Sequence, residues 1–494
     1  MDRRCLIGLA ALALAACGGA PPTPTPEANG LRYGRLAFTP CALTAMRQSV
    51  EAQCATLQVP EDHDRPDGRR IGLAVAWIPA RGEPAEDPIV FIAGGPGQSA
   101  REAYPLLHDA LADARRTRHV LLVDARGTGG SHRLQCDPDE GLEALLESSA
   151  EANARFAADC RKALAAKADL RRYTTTDHVR DLERVREAVG APRLNLLGVS
   201  YGTRVAQQYA KRHPQHVRTV TLDSVVPNSL VLGQEHARNL DAALQAQFAR
   251  CRADAGCRRN LGDPAAHLAA LRTRLQQGGL APVRYRDPVD GQWREEVPRY
   301  GHLAALLRLY AYQPQAAAVL PWLLHEAAQG RYESLLAQSR LLYADLGDAI
   351  ALGMQLSVLC TEDAPELRAD PADAGRVLGP EFVAFTLAQC AQWPKGTRPA
   401  DFRAPLRGDL PVLAISGEHD PVTPPRYGHD VVRHLRNGRH LVLPGQGHSV
   451  LAVGCMPKLF AQFLERADAR SLDAGCLQRL QPVPPFAGAY GWEP

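Results

Sequence analysis

The chain has 494 residues, of which 45% are apolar and 22% charged, and its formal net charge is +3. This composition is that of a globular protein and excludes a disordered or collagen-like chain. The small net charge, without a basic run interleaved with aromatic residues, argues against nucleic acid as a partner. The length admits one large domain with a substantial insertion, or two to three domains of average size.

The chain begins with a segment that has the pattern of a targeting signal rather than of a folded element. A short positively charged start precedes the apolar run Leu6–Ala16, which is too short to span a bilayer as a helix. The run ends in Leu-Ala-Ala-Cys17, which resembles the lipobox of bacterial lipoproteins, in which the cysteine carries the lipid. We expect a signal peptide over 1–17 and a flexible Pro/Thr-rich tether over 18–34.

The same segment predicts where the protein works. A lipid on Cys17 would anchor it in the cell envelope, and the glycine that follows favours the outer membrane, facing the periplasm. An ordinary secretory signal with a chance cysteine is the alternative, and it predicts a secreted protein. The membrane is expected as a partner only through this N-terminal anchor, since no other stretch of the chain is long and apolar enough to cross it.

Twelve cysteines are present, and ten remain when Cys5 and Cys17 are set aside with the signal. An even number in an exported chain favours disulfides. The spacings lack the C-x₂-C pairs of a zinc site, so no metal is predicted. We predict that each cysteine bonds its nearest neighbour along the chain, which gives the pairs 41–54, 136–160, 251–257, 360–390 and 455–476.

Apolar strands alternate with helical stretches over 35–228. Continuous apolar runs separated by helices indicate a parallel sheet that is covered on both faces. Helices are predicted over Asp181–Val189 and Thr203–His213. The predicted strands of this part are Arg70–Ile78, Pro88–Ala93, Arg118–Asp124, Arg193–Gly198 and Thr219–Val226.

The pattern becomes mostly helical over 229–404, where Ala, Leu and Arg recur at helical spacing, and the α/β alternation resumes over 405–480. We therefore predict one α/β domain interrupted by a large cap of helices, with a C-terminal tail over 481–494. The elements predicted after the cap are the strands Leu410–Ser416 and His440–Pro444 and the helix Lys458–Arg466.

The sequence Gly198-Val-Ser200-Tyr-Gly202 stands between a predicted strand and a predicted helix. A serine flanked by glycines on a strand-to-helix turn is the nucleophile elbow of the α/β-hydrolases. The glycines are needed because a Cβ at either place would collide with neighbouring backbone. A chance match is expected only about 0.1 times in a chain of this composition. Ser200 is therefore the candidate nucleophile of a predicted α/β-hydrolase fold.

A serine nucleophile needs a base, and the base needs an orienting carboxylate. In α/β-hydrolases the chain order is serine, acid, histidine. Asp420 follows a predicted strand in a Gly/Pro loop and is the candidate acid, with Glu418 as its competitor. His448 follows the next strand in the loop Gly-Gln-Gly-His448 and is the candidate base.

The negative charge that develops on the substrate oxygen needs two backbone N–H donors. Tyr201 follows the nucleophile directly and is the first candidate. The second is Gly95 in the loop Gly94-Gly-Pro-Gly97, with Gly94 as the alternative, because glycines let backbone approach closely. The loop lacks a phosphate-binding fingerprint. The predicted acyl transfer needs no metal and no cofactor.

Three motifs resemble those of the prolyl iminopeptidase and tripeptidyl aminopeptidase group of serine peptidases. They are Ala93-Gly-Gly-Pro-Gly-Gln-Ser99, Val123-Asp-Ala-Arg-Gly-Thr-Gly-Gly-Ser131 and the elbow itself. The part from Leu410 to Cys476 resembles the C-terminal domain of the tripeptidyl aminopeptidase branch. Ala93 and Gln98 depart from the residues usual in the group, and these departures leave substrate length and residue preference open.

The resemblance implies an exopeptidase whose substrate is a peptide with a free N-terminus. It places Glu362, in Cys360-Thr-Glu-Asp363, in the pocket wall as the partner of the substrate's ammonium group. The alternative is that Glu362 and Asp363 cap a helix. Asp124 and Arg126 are expected to brace loops near the site.

Two other functions remain compatible with the sequence. A carboxylesterase acting on small esters would use the same triad. A lipid-anchored binding protein with a relic hydrolase fold would keep the architecture without the chemistry.

Overall fold

The computed structural model describes residues 31–492. The predicted signal peptide, its Cys17 and most of the predicted tether lie outside the described residues. The last part of the predicted tether is a strand instead, because Leu31–Tyr33 pairs with the strand that follows it. Within the described residues, none of the helices combines the length and the apolar character needed to cross a membrane.

Within residues 31–492, ten strands form one sheet in the order β1-β2-β3-β4-β6-β5-β7-β8-β11-β12, and β9 and β10 form a separate hairpin. The strands are β1 Leu31–Tyr33, β2 Leu36–Ala45, β3 Gln48–Pro60, β4 Arg70–Ile78, β5 Ile89–Ile92, β6 Val120–Val123, β7 Leu194–Val199, β8 Val217–Asp223, β9 Val283–Arg286, β10 Trp293–Glu296, β11 Val412–Gly417 and β12 Gly438–Leu443.

The helices cover both faces of the sheet and build the cap. They are α1 Ala100–Ala103, α2 Pro138–Glu147, α3 Ala150–Leu164, α4 Thr175–Val189, α5 Tyr201–Arg212, α6 His236–Ala253, α7 Ala255–Leu261, α8 Pro264–Gln277, α9 Tyr300–Tyr310, α10 Pro314–Ala328, α11 Glu333–Ala349, α12 Leu352–Glu362, α13 Glu381–Gln392, α14 Pro425–Val432 and α15 Met456–Arg466.

The sheet has an antiparallel and a parallel half. Strands β1 to β4 pair antiparallel, and β4 pairs antiparallel with β6. From β6 through β5, β7, β8 and β11 to β12 every neighbour is parallel. Every residue of β5 and β6 is buried, as a strand covered on both faces requires. The carboxyl ends of the parallel strands share one edge of the sheet, where ligands bind in open α/β sheets.

The predicted parallel sheet with helices on both faces and a helical insertion is confirmed, with two differences. The insertion also contains the hairpin β9–β10. The helices α2 and α3, which precede the elbow, share a buried apolar cluster with α12 and α13. The cap is therefore assembled from two separate segments of the chain.

The five predicted disulfides are all present: Cys41–Cys54, Cys136–Cys160, Cys251–Cys257, Cys360–Cys390 and Cys455–Cys476. Two of them, at Cys136 and Cys360, lie in the apolar cluster that joins the two cap segments.

Candidate active site

Ser200 lies at the turn between β7 and α5. Its backbone has φ 55° and ψ −126°, a conformation that residues other than glycine rarely adopt. The glycines around it have the predicted steric role. A Cβ on Gly198 would overlap the carbonyl of Gly202, and a Cβ on Gly202 would overlap the carbonyl of Ile92. The serine side chain remains partly accessible at the carboxyl edge of the sheet.

Asp420 and His448 form a hydrogen-bonded pair, with Oδ2 of the aspartate 2.8 Å from Nδ1 of the histidine. The carboxylate is buried and held by its own loop. Its Oδ1 accepts from the backbone N–H groups of Val422 and Thr423 at 2.9 and 2.8 Å. The hydroxyl of Thr423 donates to Oδ2 at 2.8 Å. This arrangement orients the imidazole of His448.

The competing acid, Glu418, does not take this place. Its Oε2 accepts a hydrogen bond from the backbone N–H of Gly445 at 2.8 Å. Its side chain is half exposed, whereas that of Asp420 is fully buried. The structure thus favours Asp420 as the partner of the histidine.

The two members of this pair have opposite pKa shifts. Burial lowers the pKa of His448, but the charge and hydrogen bond of Asp420, with a further contribution from Asp223, raise it above its ordinary value of 6.5. Burial raises the pKa of Asp420, but His448 and the backbone donors bring it below its ordinary value. Near neutral pH the aspartate therefore stays ionised, and the imidazole is a stronger base than free histidine.

Asp223, at the end of β8, connects the nucleophile to the loop of the base. Its carbonyl accepts from the N–H of Ser200 at 2.8 Å. Its buried carboxylate accepts from the N–H groups of Val450, at 2.9 and 3.0 Å, and Leu451, at 2.9 Å. Burial raises the pKa of Asp223 to about 6. Asp223 was not among the residues predicted from the sequence, although an acid at a buried strand end was a usable signal.

Replacing Asp223 with asparagine is expected to lower kcat about 10- to 100-fold, because misplacement of reacting groups by about 1 Å has that cost. The side-chain amide would point N–H groups at the N–H groups of Val450 or Leu451. The measurement is kcat and KM together with thermal unfolding. A variant that loses stability while its kcat remains at the wild-type value would contradict a positioning role.

The cap contacts the loop of His448. The carbonyl of Tyr312 accepts from the backbone N–H of His448 at 2.8 Å, and the two rings meet edge to face with centroids 4.9 Å apart. Gly447 is required here, because a Cβ would overlap that carbonyl. The cap therefore helps to position the candidate base.

The predicted oxyanion donors lie beside the serine. Tyr201 is the first residue of α5, so its N–H has no acceptor within the helix. A Cβ on Gly94 would stand 2.9 Å from the Cβ of Ser200, which shows how closely this loop approaches the nucleophile. Gly95 follows with φ +102°, a backbone conformation suited to glycine.

The cap also holds the oxyanion loop. The N–H of Ala351 donates to the carbonyl of Gly97 at 2.9 Å, and Nε2 of Gln355 donates to the carbonyl of Pro96 at 3.3 Å. Together with Tyr312, these contacts attach the cap to the loops on both sides of the serine.

The two predicted bracing residues lie where expected. The carboxylate of Asp124 accepts from the hydroxyl of Ser99 at 2.6 Å and from the N–H of Gly130 at 3.0 Å. Arg126 forms a buried two-bond ion pair with Asp181, at 2.7 Å for each bond.

The structure gives no support to the predicted role of Glu362 as the partner of a substrate's ammonium group, which remains a prediction. The side chain is fully buried, and it accepts from the N–H and the hydroxyl of Thr175, each at 2.7 Å. The Thr175 hydroxyl in turn meets the hydroxyl of Tyr201 at 2.6 Å. In this position the carboxylate has no exposed surface to offer to a substrate's ammonium group. Glu362 instead connects the cap to the residue that follows the nucleophile. The motif could not reveal this, because burial depends on tertiary packing.

Replacing Glu362 with glutamine is expected to change the pH dependence of stability. Burial and the neighbouring Asp363 raise the pKa of Glu362 to about 7 from its ordinary 4.5. The folded state then holds this proton more tightly than the unfolded state, so wild-type stability falls as pH rises from about 4.5 to about 7. The glutamine variant lacks this loss. Urea unfolding at several pH values measures the difference, and parallel profiles for the two proteins would contradict it.

Among residues 31–492, Glu183, His213 and His216 bring three potential metal ligands within 4.8 Å of one another. Both oxygens of Glu183 are already bonded by Arg186, at 3.0 and 2.7 Å. The group also lies at the far end of α5 from Ser200, about 18 Å away for a helix of this length. It is separate from the candidate active site.

An elbow serine, a buried Asp–His pair and an adjacent glycine loop, at the carboxyl edge of a mostly parallel sheet, define a serine hydrolase. The sequence also matches the family described as the alpha/beta hydrolase fold over residues 87–454. The chain belongs to this family, and the predicted fold class is confirmed.

Named relatives extend the comparison. The chain is 28% identical over 473 residues to the serine protease Hip1 of Mycobacterium tuberculosis, covering 86% of this chain and 88% of that protein. It is 32% identical over 191 residues to a tripeptidyl aminopeptidase of Streptomyces coelicolor, covering 35% of each chain. It is 29% identical over 424 residues to carboxylesterase B of Mycobacterium tuberculosis, covering 78% of each chain. The resemblance to serine peptidases that the motifs indicated is thereby confirmed.

Proposed function

We propose that the protein is a serine peptidase that hydrolyses peptides from a free N-terminus, of the tripeptidyl or prolyl aminopeptidase type. The observation that carries the proposal is the Asp420–His448 pair at 2.8 Å, whose loop is joined through Asp223 to the elbow serine. The similarity to a named serine protease over 86% of the chain supports it.

In the proposed mechanism Ser200 attacks the scissile carbonyl while His448 takes its proton, and Asp420 stabilises the imidazolium that forms. The N–H groups of Tyr201 and Gly95 stabilise the negative oxygen of the tetrahedral intermediate. The imidazolium then returns the proton to the leaving amine. Water, activated by the same histidine, releases the acyl group from the serine.

The cap supports action at a chain end. It contacts the loop of His448 through Tyr312 and the oxyanion loop through Ala351. A cap attached on both sides of the nucleophile narrows the space in which a long chain could lie across the site. The end of a peptide needs less of that space.

We propose that the protein is located outside the cytoplasm and is anchored by a lipid on Cys17. Five disulfides support an oxidising compartment. Radiolabelled palmitate incorporated into the wild type and not into a Cys17→Ser variant would support the anchor. Equal labelling of both proteins would exclude it.

The experiment that tests the proposed function compares matched peptides with a free and an acetylated N-terminus. An exopeptidase of this type should hydrolyse the free peptides and spare the acetylated ones, as shown by mass spectrometry of the products. Equal hydrolysis of both sets, or cleavage only inside long peptides, would contradict N-terminal specificity.

A carboxylesterase is the second candidate function. The burial of Glu362 favours it, because this residue offers no accessible carboxylate for an amine. The similarity to carboxylesterase B over 78% of the chain also supports it. Rapid hydrolysis of short 4-nitrophenyl esters without turnover of any peptide would select the esterase. Failure of Ser200 to react with a fluorophosphonate would instead favour a binding protein with a relic fold.

A further inference from the structure

Four half-buried cap side chains form a cluster beside the candidate base, and they come from three elements and a loop. Tyr312 packs on His448, with ring centroids 4.9 Å apart. Arg308 of α9 lies over the ring of Phe382 of α13, with its guanidinium carbon 4.8 Å from the ring centroid. The same ring stacks on His236, the first residue of α6, at 5.6 Å. All four keep some accessible surface.

The cluster carries a cation without a carboxylate. Within the described part of the chain, Arg308 makes no ion pair with an acidic side chain; its neighbours are the Phe382 ring and the phenol of Tyr312. Two fully buried arginines do have acidic partners. Arg204 pairs with Asp363 at 3.1 Å, and Arg126 pairs with Asp181 at 2.7 Å. A half-buried guanidinium that lacks an ion-pair partner within the described residues has donors left to bind an anion from elsewhere.

The other titratable groups of the cluster do not neutralise this charge. Burial lowers the pKa of His236 to about 3, and the positive charges of Arg308 and His448 contribute to the shift, so His236 stays neutral. Burial raises the pKa of Tyr312, which keeps the phenol neutral as well. The one acid that acts on both rings is Asp420, and its carboxylate is already bonded to His448. Arg308 is therefore the positively charged group of this cluster, and no acidic side chain of the described residues pairs with it.

We propose that Arg308 is the centre of an anion subsite that binds a carboxylate of the substrate close to the scissile bond. Arginine suits this task because its planar fork can donate two parallel hydrogen bonds to a carboxylate. The hydroxyl of Tyr312, beside Arg308, would donate a further hydrogen bond to the same carboxylate. The inference rests on the proposed peptidase function and deepens it. Two parts of a peptide carry this chemistry: an acidic side chain and a free C-terminal carboxylate.

The test uses two matched substrate pairs. Ala-Ala-Glu p-nitroanilide is compared with Ala-Ala-Gln p-nitroanilide, and tetra-alanine with tetra-alanine amide. In at least one pair the carboxylate form should have a kcat/KM about 10- to 100-fold higher, the range expected for a hydrogen-bonded charge pair. The pair that shows the preference identifies whether the carboxylate belongs to a side chain or to the chain end. Equal rates within both pairs would overturn the proposal.

Three variants assign the preference to the residue. Arg308→Gln should abolish it, and Arg308→Lys should retain part of it because the charge remains. Arg331→Gln should keep the whole preference, since this arginine is exposed on the cap surface and bonds Glu326. If Arg308→Gln keeps the wild-type preference, the subsite does not lie at Arg308.

A final measurement separates this inference from the proposed function. Fluorophosphonate labelling of Ser200 is followed in the presence of 4-phenylbutanoate or its uncharged amide. The carboxylate should protect the serine at concentrations about tenfold lower than the amide does, and Arg308→Gln should remove the difference. Protection by the carboxylate without peptide turnover would retain the subsite and reject the peptidase. Peptide turnover with equal protection by both compounds would support the peptidase and reject the subsite.

Discussion

Replacing Ser200 with alanine is expected to lower kcat/KM for a hydrolysed peptide p-nitroanilide by about 10⁴- to 10⁶-fold, because the acyl-enzyme can no longer form. The residual rate should come from the oxyanion donors and from substrate binding alone. The hydroxyl makes no capping hydrogen bond to α5, so its removal should leave the fold intact. Initial rates and thermal unfolding of both proteins measure the two effects.

The matched control is Ser229→Ala, since Ser229 is exposed and its hydroxyl donates to Asp430 at 3.3 Å, on the protein surface. This variant should keep wild-type activity and should still react with a fluorophosphonate, whereas Ser200→Ala should not react. An alanine variant at position 200 that retained labelling, or more than a hundredth of the wild-type rate, would show that another residue is the nucleophile.

The parts of the fold that could be predicted from the sequence are those set by local pattern. The strands β5 and β6 are continuous apolar runs, and β7 is apolar apart from Asn195, as burial on both faces requires. The antiparallel strands β2 and β3 escaped prediction. Most of their residues are exposed or partly exposed without a regular alternation, β2 contains a proline and β3 many polar side chains, so the two segments are hard to distinguish from loops by sequence pattern. Their register depends on pairing with β4.

In the candidate site, too, the residues that could be predicted are those with a local sequence pattern, and the residues defined by long-range contacts could not. Ser200 and His448 lie in short glycine loops whose sterics are local, so their sequence neighbours identify them. Asp223 and Arg308 were missed because their importance lies in contacts with distant residues. Asp223 acts through Val450, 227 residues further along the chain. Glu362 matched a motif, but the packing of α12 against Thr175 decided its surroundings.

The second large effect is expected at Asp420. Replacing it with asparagine should lower kcat about 10³- to 10⁴-fold, because the amide can hold the imidazole in the wrong tautomer and cannot stabilise the imidazolium. The substitution affects the hydrogen bond between Oδ2 of Asp420 and Nδ1 of His448, which is 2.8 Å long. Glu418→Gln is the matched control and should remain close to wild-type activity, since its carboxylate bonds the Gly445 backbone.

The pH dependence of the same variant gives an independent test of the pair. The base must be neutral to accept the serine proton, so kcat/KM falls as pH decreases through the pKa of His448. In the wild type Asp420 makes the largest contribution that raises this pKa, which places the acid limb above the ordinary 6.5. Asp420→Asn removes that contribution and leaves the burial that lowers the pKa of His448. The acid limb of the kcat/KM profile should therefore move to lower pH, and the maximum value of kcat/KM should fall. An acid limb at the wild-type pH would mean that Asp420 does not act on His448 through its charge. A maximum kcat/KM equal to that of the wild type would mean that the Asp420–His448 pair does not take part in catalysis.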